Sequence, residues 1–327
     1  MILSRTPFRI SFAGGGSDFS ACYERQGGAV LATAIDKYMY IAVKKHFGPD
    51  FRISYSRTEF AESVDAVEHP IVRECLQEVG APEPLEIVSM GDLPAQAGMG
   101  SSSSFTVGLL HALHVHRGAP VVVERLAEQA CRIEIERLGE PIGKQDQYIA
   151  AYGGLCLLRF ERDGSVRVEP VCCPRETVRK LDRRLLIFFS GMTRNARDIL
   201  ADQQRSAGDN LDVLAEMSDI ARRMRDILTS GGDIDDIGVL LHEAWEAKKT
   251  LEPSITSHEL DEMYDRGCKA GAVGGKVLGA GGGGFLMFYC RPELQDALRT
   301  ELADLTETPF SMVSDGTRIV YPEERLS

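Results

Sequence analysis

The sequence predicts an α+β protein of two domains, and three observations carry that reading. The chain has 327 residues, enough for about two hydrophobic cores of ordinary size. Its first third is rich in β-like runs and then changes to a strand, a Gly/Ser loop and a helix, an order that suits a mixed domain better than a regular alternation. After CCPRETVRKLDRR, which reads as a linker, the strand-like RLLIFFSG opens a new set of elements. The domains are therefore placed at 1–178 and 179–327.

In chain order, residues 2–13 (ILSRTPFRISFA) read as a strand broken near Pro7, followed by the turn GGGSDF with Asp18 in it. Residues 29–43 suggest one or two strands, and FRISYS adds another. HPIVRECLQEVG reads as a helix ended by Gly80, which Pro82 and Pro84 keep from continuing. LEIVSM is then a strand that delivers the chain to PAQAGMGSSSS, residues 94–104, with the helix FTVGLLHALHV behind it. Glycines that turn N–H groups toward a ligand, serine hydroxyls and a helix N-terminus together make an anion cradle. The segment is not a Walker A loop, because no lysine stands between Pro94 and Ser104. Nor is it a dinucleotide fingerprint, since Ser103 occupies the third glycine position. Alone, it fits a Ser-capped helix after a flexible loop equally well.

The next helix, Val123–Leu138, carries more information. At 100° per residue Leu126, Ala127, Ala130, Cys131, Ile133 and Leu138 share one face, and Glu134 falls among them while Glu136 does not. An inward carboxylate needs a partner, either a buried salt bridge or a cation, unless it escapes to solvent at the helix end near Gly139. In the loop GEPIGKQDQYIAAYGG, Lys144, Gln145 and Asp146 form a polar cluster. Asp146 suits both an N-cap of the following helix and an acid/base beside a cation. A hairpin about Asp163-Gly164 follows.

Beyond the linker, helices are expected at Ala196–Gln204, Asn210–Thr229 and Ile237–Thr250, bordered by Arg194, Arg197, Lys248 and Lys249. Five of the six residues from Gly279 to Gly284 are glycine, so KVLGAGGGGFLMFYC reads as two strands joined by a turn, either a plain polyglycine turn or, given its length and Lys276 before it, one that approaches a ligand. A helix near Glu293–Ala303 and the β-like SMVSDGTRIV close the chain.

Bulk properties narrow the partners. A formal net charge of −12 argues against nucleic acid and anionic membrane surfaces. No apolar run is long enough for a membrane span, and MILSRTPFRIS lacks the apolar core of a signal peptide. Eight cysteines without a C-x-x-C fit reduced thiols. The expectation is a cytoplasmic protein with a small-molecule substrate, monomeric or homodimeric.

RTPFRISFAGGGSDF, PAQAGMGSSSS and KVLGAGGGGF, in this order, resemble the three signatures of the GHMP kinase superfamily. Within it, FAGGGSD, IEIERLGEPIGKQDQY and GAVGGKVLGAGGGGF are most similar to the bacterial D-glycero-α-D-manno-heptose 7-phosphate kinases. The resemblance implies a two-domain GHMP kinase fold, with a ribosomal S5 domain 2-like N-terminal domain and a ferredoxin-like C-terminal domain. It also implies ATP as co-substrate, Mg²⁺ as cofactor and a sugar phosphate as acceptor. The second signature would wrap the nucleotide phosphates with Pro94, Gly98, Met99, Gly100, Ser101, Ser102, Ser103 and Ser104. Glu134 and Ser102 would hold the metal, leaving Ser101 and Ser103 to phosphate; helical periodicity picks the same glutamate. Asp146 would face the acceptor hydroxyl with Arg9 beside it. Gly15, Gly16, Ser17 and Asp18, with Gly281 and Gly282, would form the sugar side. Arg194, Lys248 and Arg5 are candidates for the acceptor's distal phosphate, and Lys144 for a phosphate contact or a loop brace. Two departures matter: GGGSD replaces the GEHTD type of galactokinases, which disfavours galactose, and GMGSSSS replaces GLGSS by a conservative swap. A fucokinase-like sugar 1-kinase and a catalytically silent binding protein on the same scaffold are the alternatives.

Overall fold

The computed structural model describes residues 1–81, 83–94, 98–192 and 196–321. Its strands are, in chain order, β1 (Ile2–Ala13), β2 (Gly28–Lys45), β3 (Phe51–Ser54), β4 (Thr58–Ala61), β5 (Leu85–Gly91), β6 (Leu155–Phe160), β7 (Val166–Pro170), β8 (Leu185–Phe189), β9 (Ala272–Val277), β10 (Phe285–Cys290), β11 (Thr306–Glu307) and β12 (Arg318–Tyr321). They form an eight-stranded sheet of order β12-β1-β2-β5-β3-β4, with β6 and β7 branching from β2, and a four-stranded sheet of order β11-β8-β10-β9.

The spine of the first sheet is the antiparallel pair β1 and β2. β1 is not broken at Pro7: the strand runs through, and the register slips between Pro7 and Phe8 instead. Proline has no N–H to give the ladder, and a bulge absorbs the loss. β2 is one strand of 18 residues, long enough to pair with β6 through its first part and with β5 through its last. Along β1, Phe8, Ile10 and Phe12 point into one core, so Arg9 and Ser11 face the other way, toward the cleft described below.

One face of this sheet is covered by the helices Pro70–Val79, Ser101–His116, Val123–Cys131 and Gln145–Tyr152, whose Val72, Val107, Leu110, Leu126 and Ile149 meet Val30, Ile41 and Val43 of β2. The opposite face shares a core with the second domain. There Phe8, Ile10 and Leu31 meet Ile220 and Met224 of the helix Leu211–Ser230, Leu241 of the helix Asp236–Lys249, and Ile187 and Met287 of the second sheet. Both faces of that sheet are buried, since Leu186, Phe188, Leu286 and Phe288 enter a third core with Trp245, Leu260 and Tyr264. Burial on two sides is why LLIFF and FLMFYC are unbroken apolar runs without alternation.

Three features differ from expectation. The linker is a helix, Arg175–Asp182, which spans the 178/179 division. The helix His258–Lys269 lies where none was expected: its apolar stripe is thin, with only Leu260, Tyr264 and Gly267 buried, though Ser257 caps it by accepting from the Leu260 N–H. The last described strand, β12, returns to pair with β1, so residues Arg318–Tyr321 belong to the first sheet despite lying in the 179–327 half. Among the described residues no helix is long and apolar enough to cross a membrane.

Candidate active site

The three glycine-rich turns converge on one cleft of about 400 Å³ between the two domains. The second and third meet backbone to backbone. A Cβ at Gly98 would lie 2.7 Å from the Leu278 carbonyl oxygen, and one at Gly279 would lie 2.5 Å from the Gly98 Cα. Only glycine permits that approach.

The cradle ends in Gly100, left-handed at φ 76°, and the helix begins at Ser101, four residues earlier than the apolar run suggested. Among the described residues no side chain caps this helix, so its first N–H groups stay available to an anion. Helical phase then divides the four serines. Ser101 and Ser102 line the cleft. Ser103 is buried and donates to Glu134 Oε2 at 2.9 Å, and Ser104 is buried and donates to the Pro7 carbonyl at 2.8 Å. The expected phosphate role for the Ser103 and Ser104 hydroxyls is thus corrected: both are spent inside the fold. Met99 is packed in the shared core, and its carbonyl accepts from the Arg9 N–H. Pro94 is exposed and does not line the cleft.

Glu134 sits on a π-helical turn, Arg132–Arg137, that continues the helix Val123–Cys131. It is 1% exposed. Its Oε2 accepts from Ser103 and, at 2.8 Å, from Gln147 Nε2, while Oε1 is buried with no partner among the described residues. Burial pushes its carboxyl up to about 7, against the pull of hydrogen bonds from Ser103, Gln147 and Ser102. Of the two partners left open by the helical pattern, the salt bridge is not what the described residues provide.

Asp146 stands in the first turn of the helix Gln145–Tyr152 but does not cap it. Its carboxylate takes two bonds from Arg9, Nε to Oδ1 at 2.6 Å and Nη2 to Oδ2 at 2.8 Å, and Arg9 Nη1 donates to the Gly98 carbonyl at 2.7 Å. One guanidinium, 5% exposed, therefore ties β1, the cradle and Asp146 together. A Cβ at Gly100 would come within 3.3 Å of Asp146 Oδ2, which puts this carboxylate at the mouth of the cradle.

Asp18, 2% exposed, accepts from the Gly16 N–H at 2.9 Å and the Gln145 N–H at 3.2 Å. Burial, and next the charge of Asp146, raise its carboxyl above the usual range. Gly143 is packed against it: a Cβ there would sit 1.9 Å from Asp18 Oδ2. Gly143→Ala should cost about 1–3 kcal/mol by overpacking and displace the carboxylate. Thermal melting and the acceptor KM check this, and wild-type values of both would contradict the placement.

Gly15 and Gly16 line the cleft, but Ser17 does not: its hydroxyl donates to the Gly14 carbonyl at 2.7 Å and holds the turn. In the third turn the cleft wall is Gly279 and Ala280 rather than Gly281 and Gly282, because Gly281 packs on Ile255 and the Gly282 N–H bonds the Ile255 carbonyl at 2.7 Å. Arg194 lies outside the described residues. Arg5 stacks over Tyr38 on the first sheet, away from the cleft. Lys144 is a brace, donating to the Gly164 carbonyl at 2.6 Å and lying 4.8 Å from the centre of the Tyr23 ring. Sequence reasoning missed Gln147, which supports Glu134 from another helix, and gave no role to Gln145, whose Oε1 is buried beside the cleft without a partner among the described residues. No local pattern marks Gln147.

Comparison with known proteins decides the family. The profile of the GHMP kinases N terminal domain matches residues 65–154, and that of the GHMP kinases C terminal region matches residues 217–305. The chain is a GHMP kinase. It is 28% identical over 338 residues to the D-glycero-alpha-D-manno-heptose 7-phosphate kinase of Campylobacter jejuni, across 97% of this chain and 98% of that one. To the L-fucokinase/L-fucose-1-P guanylyltransferase of Bacteroides fragilis it is 26% identical, across 94% of this chain and 37% of that one. A crystal structure of a D-glycero-D-manno-heptose 1-phosphate kinase from Bacteroides thetaiotaomicron matches with a TM-score of 0.82 at 25% identity, covering 98% and 99% of the two chains. The two-domain α+β fold of this GHMP kinase is thus the family's, and as a member it takes ATP as co-substrate.

Proposed function

We propose that this GHMP kinase transfers the γ-phosphoryl group of ATP to the anomeric hydroxyl of D-glycero-α-D-manno-heptose 7-phosphate, giving the 1,7-bisphosphate for nucleotide-activated heptose synthesis in the cytoplasm. The observation that carries the reading is the meeting, in one cleft, of the Arg9–Asp146 pair, an uncapped helix start at Ser101 and the half-satisfied Glu134. The acceptor is suggested by the names of the full-length relatives.

Ser101, Ser102 and the first N–H groups of their helix hold the nucleotide phosphates. The donor set fits Mg²⁺: Glu134 Oε1 has no partner among the described residues and Ser102 lines the cleft, so both would hold the ion, with phosphate oxygens and waters as its other hard ligands. When bound, the ion neutralises phosphate charge. Asp146 accepts a hydrogen bond from the acceptor hydroxyl, and Arg9 fixes its orientation through two bonds. The acceptor oxygen bonds to the γ-phosphorus as the bond to the β–γ bridging oxygen breaks, ADP leaves, and Asp146 holds the released proton. Such a reaction depends mainly on positioning and charge stabilisation, which suits a carboxylate fixed in place by two Arg9 bonds. Asp18 and Gly15 to Gly16 offer the sugar hydroxyls an acceptor and a close backbone.

Phosphorus NMR of the purified protein with ATP, Mg²⁺ and the heptose phosphate should show a new anomeric phosphate beside the retained one. Turnover with L-fucose and none with the heptose phosphate would move the function to a fucokinase-like activity.

A further inference from the structure

Among the described residues, eight charged side chains line the cleft: Arg9, Asp18, Glu134, Glu140, Asp146, Arg197, Lys248 and Lys276. Six have partners suited to their charge. Arg9 pairs with Asp146, Arg197 with Glu140 at 3.3 Å, Asp18 accepts backbone N–H groups, and Glu134 accepts a hydroxyl and an amide. The two lysines differ. Lys248, in the last turn of the helix Asp236–Lys249, is 4% exposed, and Lys276, on β9, is 3% exposed. Lys248 Nζ donates to the Gly279 carbonyl, and Lys276 Nζ to the carbonyls of Ser11 at 3.0 Å and Phe12 at 3.3 Å. Among the described residues neither ammonium has a carboxylate within 4.0 Å.

Two cations buried on carbonyl dipoles alone are costly, and an arriving dianion removes the cost. Burial, then Arg9, pulls Lys248 down to about 8; burial, then Lys248 and Arg9, pulls Lys276 well below the lysine range. Lys248 also feels the charge of Asp18, a group on the acceptor side of the cleft. We propose that Lys248 and Lys276 form a phosphoryl-binding subsite for the acceptor's own phosphate, distinct from the serine cradle that takes the nucleotide. The inference rests on the reading of the acceptor as a sugar phosphate.

The test replaces each lysine by Met in the full chain, which keeps the apolar stem and removes the charge. The expected result is a fall of about 10–100-fold in kcat/KM for the phosphorylated sugar. The same sugar without its phosphate, and the Kd of a non-hydrolysable ATP analogue, should change by less than about twofold. Equal losses with both sugars would make the lysines structural, and a loss confined to the analogue would give them to the nucleotide; either result, or no change at all, overturns the assignment. The unaltered chain supplies a second arm that does not depend on a variant folding. At saturating ATP, inorganic phosphate should inhibit competitively against the phosphorylated sugar, and absence of that competition also overturns it. Failure of the underlying reading is separate: the wild-type protein would then transfer phosphate to no phosphorylated sugar, whatever the lysine variants do.

Discussion

Asp146→Asn lowers kcat by about 10²–10⁴-fold and leaves the Kd of a non-hydrolysable ATP analogue within about twofold. The amide keeps the size of the side chain and one acceptor for Arg9, so the guanidinium retains part of its anchoring and the cradle its connection through the Gly98 carbonyl. What is lost is the anionic acceptor for the hydroxyl proton. Asp146→Ala is the harsher control. It strips Arg9, a nearly buried cation, of both carboxylate bonds, and loss of stability then adds to loss of turnover. Rapid-quench measurement of the chemical step with Asn, beside calorimetry for the nucleotide, separates the two effects. A wild-type chemical step in the Asn variant would remove Asp146 from the reaction.

Glu134→Gln raises the Mg²⁺ concentration for half-maximal activity by roughly tenfold or more, because the only buried carboxylate oxygen in the cleft that lacks a partner among the described residues is replaced by a neutral group. The variant should nonetheless fold. Gln accepts from Ser103 and Gln147 as Glu does, and burying an amide is less costly than burying a carboxylate. Titration of activity with Mg²⁺ and a melting curve check both halves, and an unchanged metal requirement would give the ion to other ligands.

How much of this was legible in the sequence depended on whether a residue's role was local. Glu134 was found from helical phase, since the apolar residues around it on Val123–Leu138 fix its direction whatever the tertiary fold. The serines were not resolved, for the same reason in reverse. With the helix taken to begin at Phe105, Ser101 to Ser104 looked like an undirected loop, whereas inside the helix each step turns 100° and sends Ser103 and Ser104 inward. The polyglycine turn carries no side-chain direction at all, so nothing in GAGGGG distinguished Gly279 and Ala280, at the cleft, from Gly281 and Gly282, at Ile255. The pairing of Arg9 with Asp146 spans 137 positions and has no local signature; the family resemblance suggested it. The sheets were clear where apolar runs were long, and the missed helix His258–Lys269 had too thin a stripe to declare itself.

The alternation along β1 has a consequence for how this protein tolerates change. Phe8, Ile10 and Phe12 lie in the core shared by the two domains, and the residue between the first two, Arg9, holds the Asp146 carboxylate. Inserting or deleting one residue upstream of Phe8 would exchange the two faces, burying a guanidinium among aromatics and turning a phenylalanine toward the cleft. The strand is thus read twice over, once by the shared core and once by the cleft, and its register with β2 already slips at two places, between Pro7 and Phe8 and between Ser11 and Ala13. Engineering that lengthens or trims this enzyme has room in its surface turns; β1 admits substitution at most.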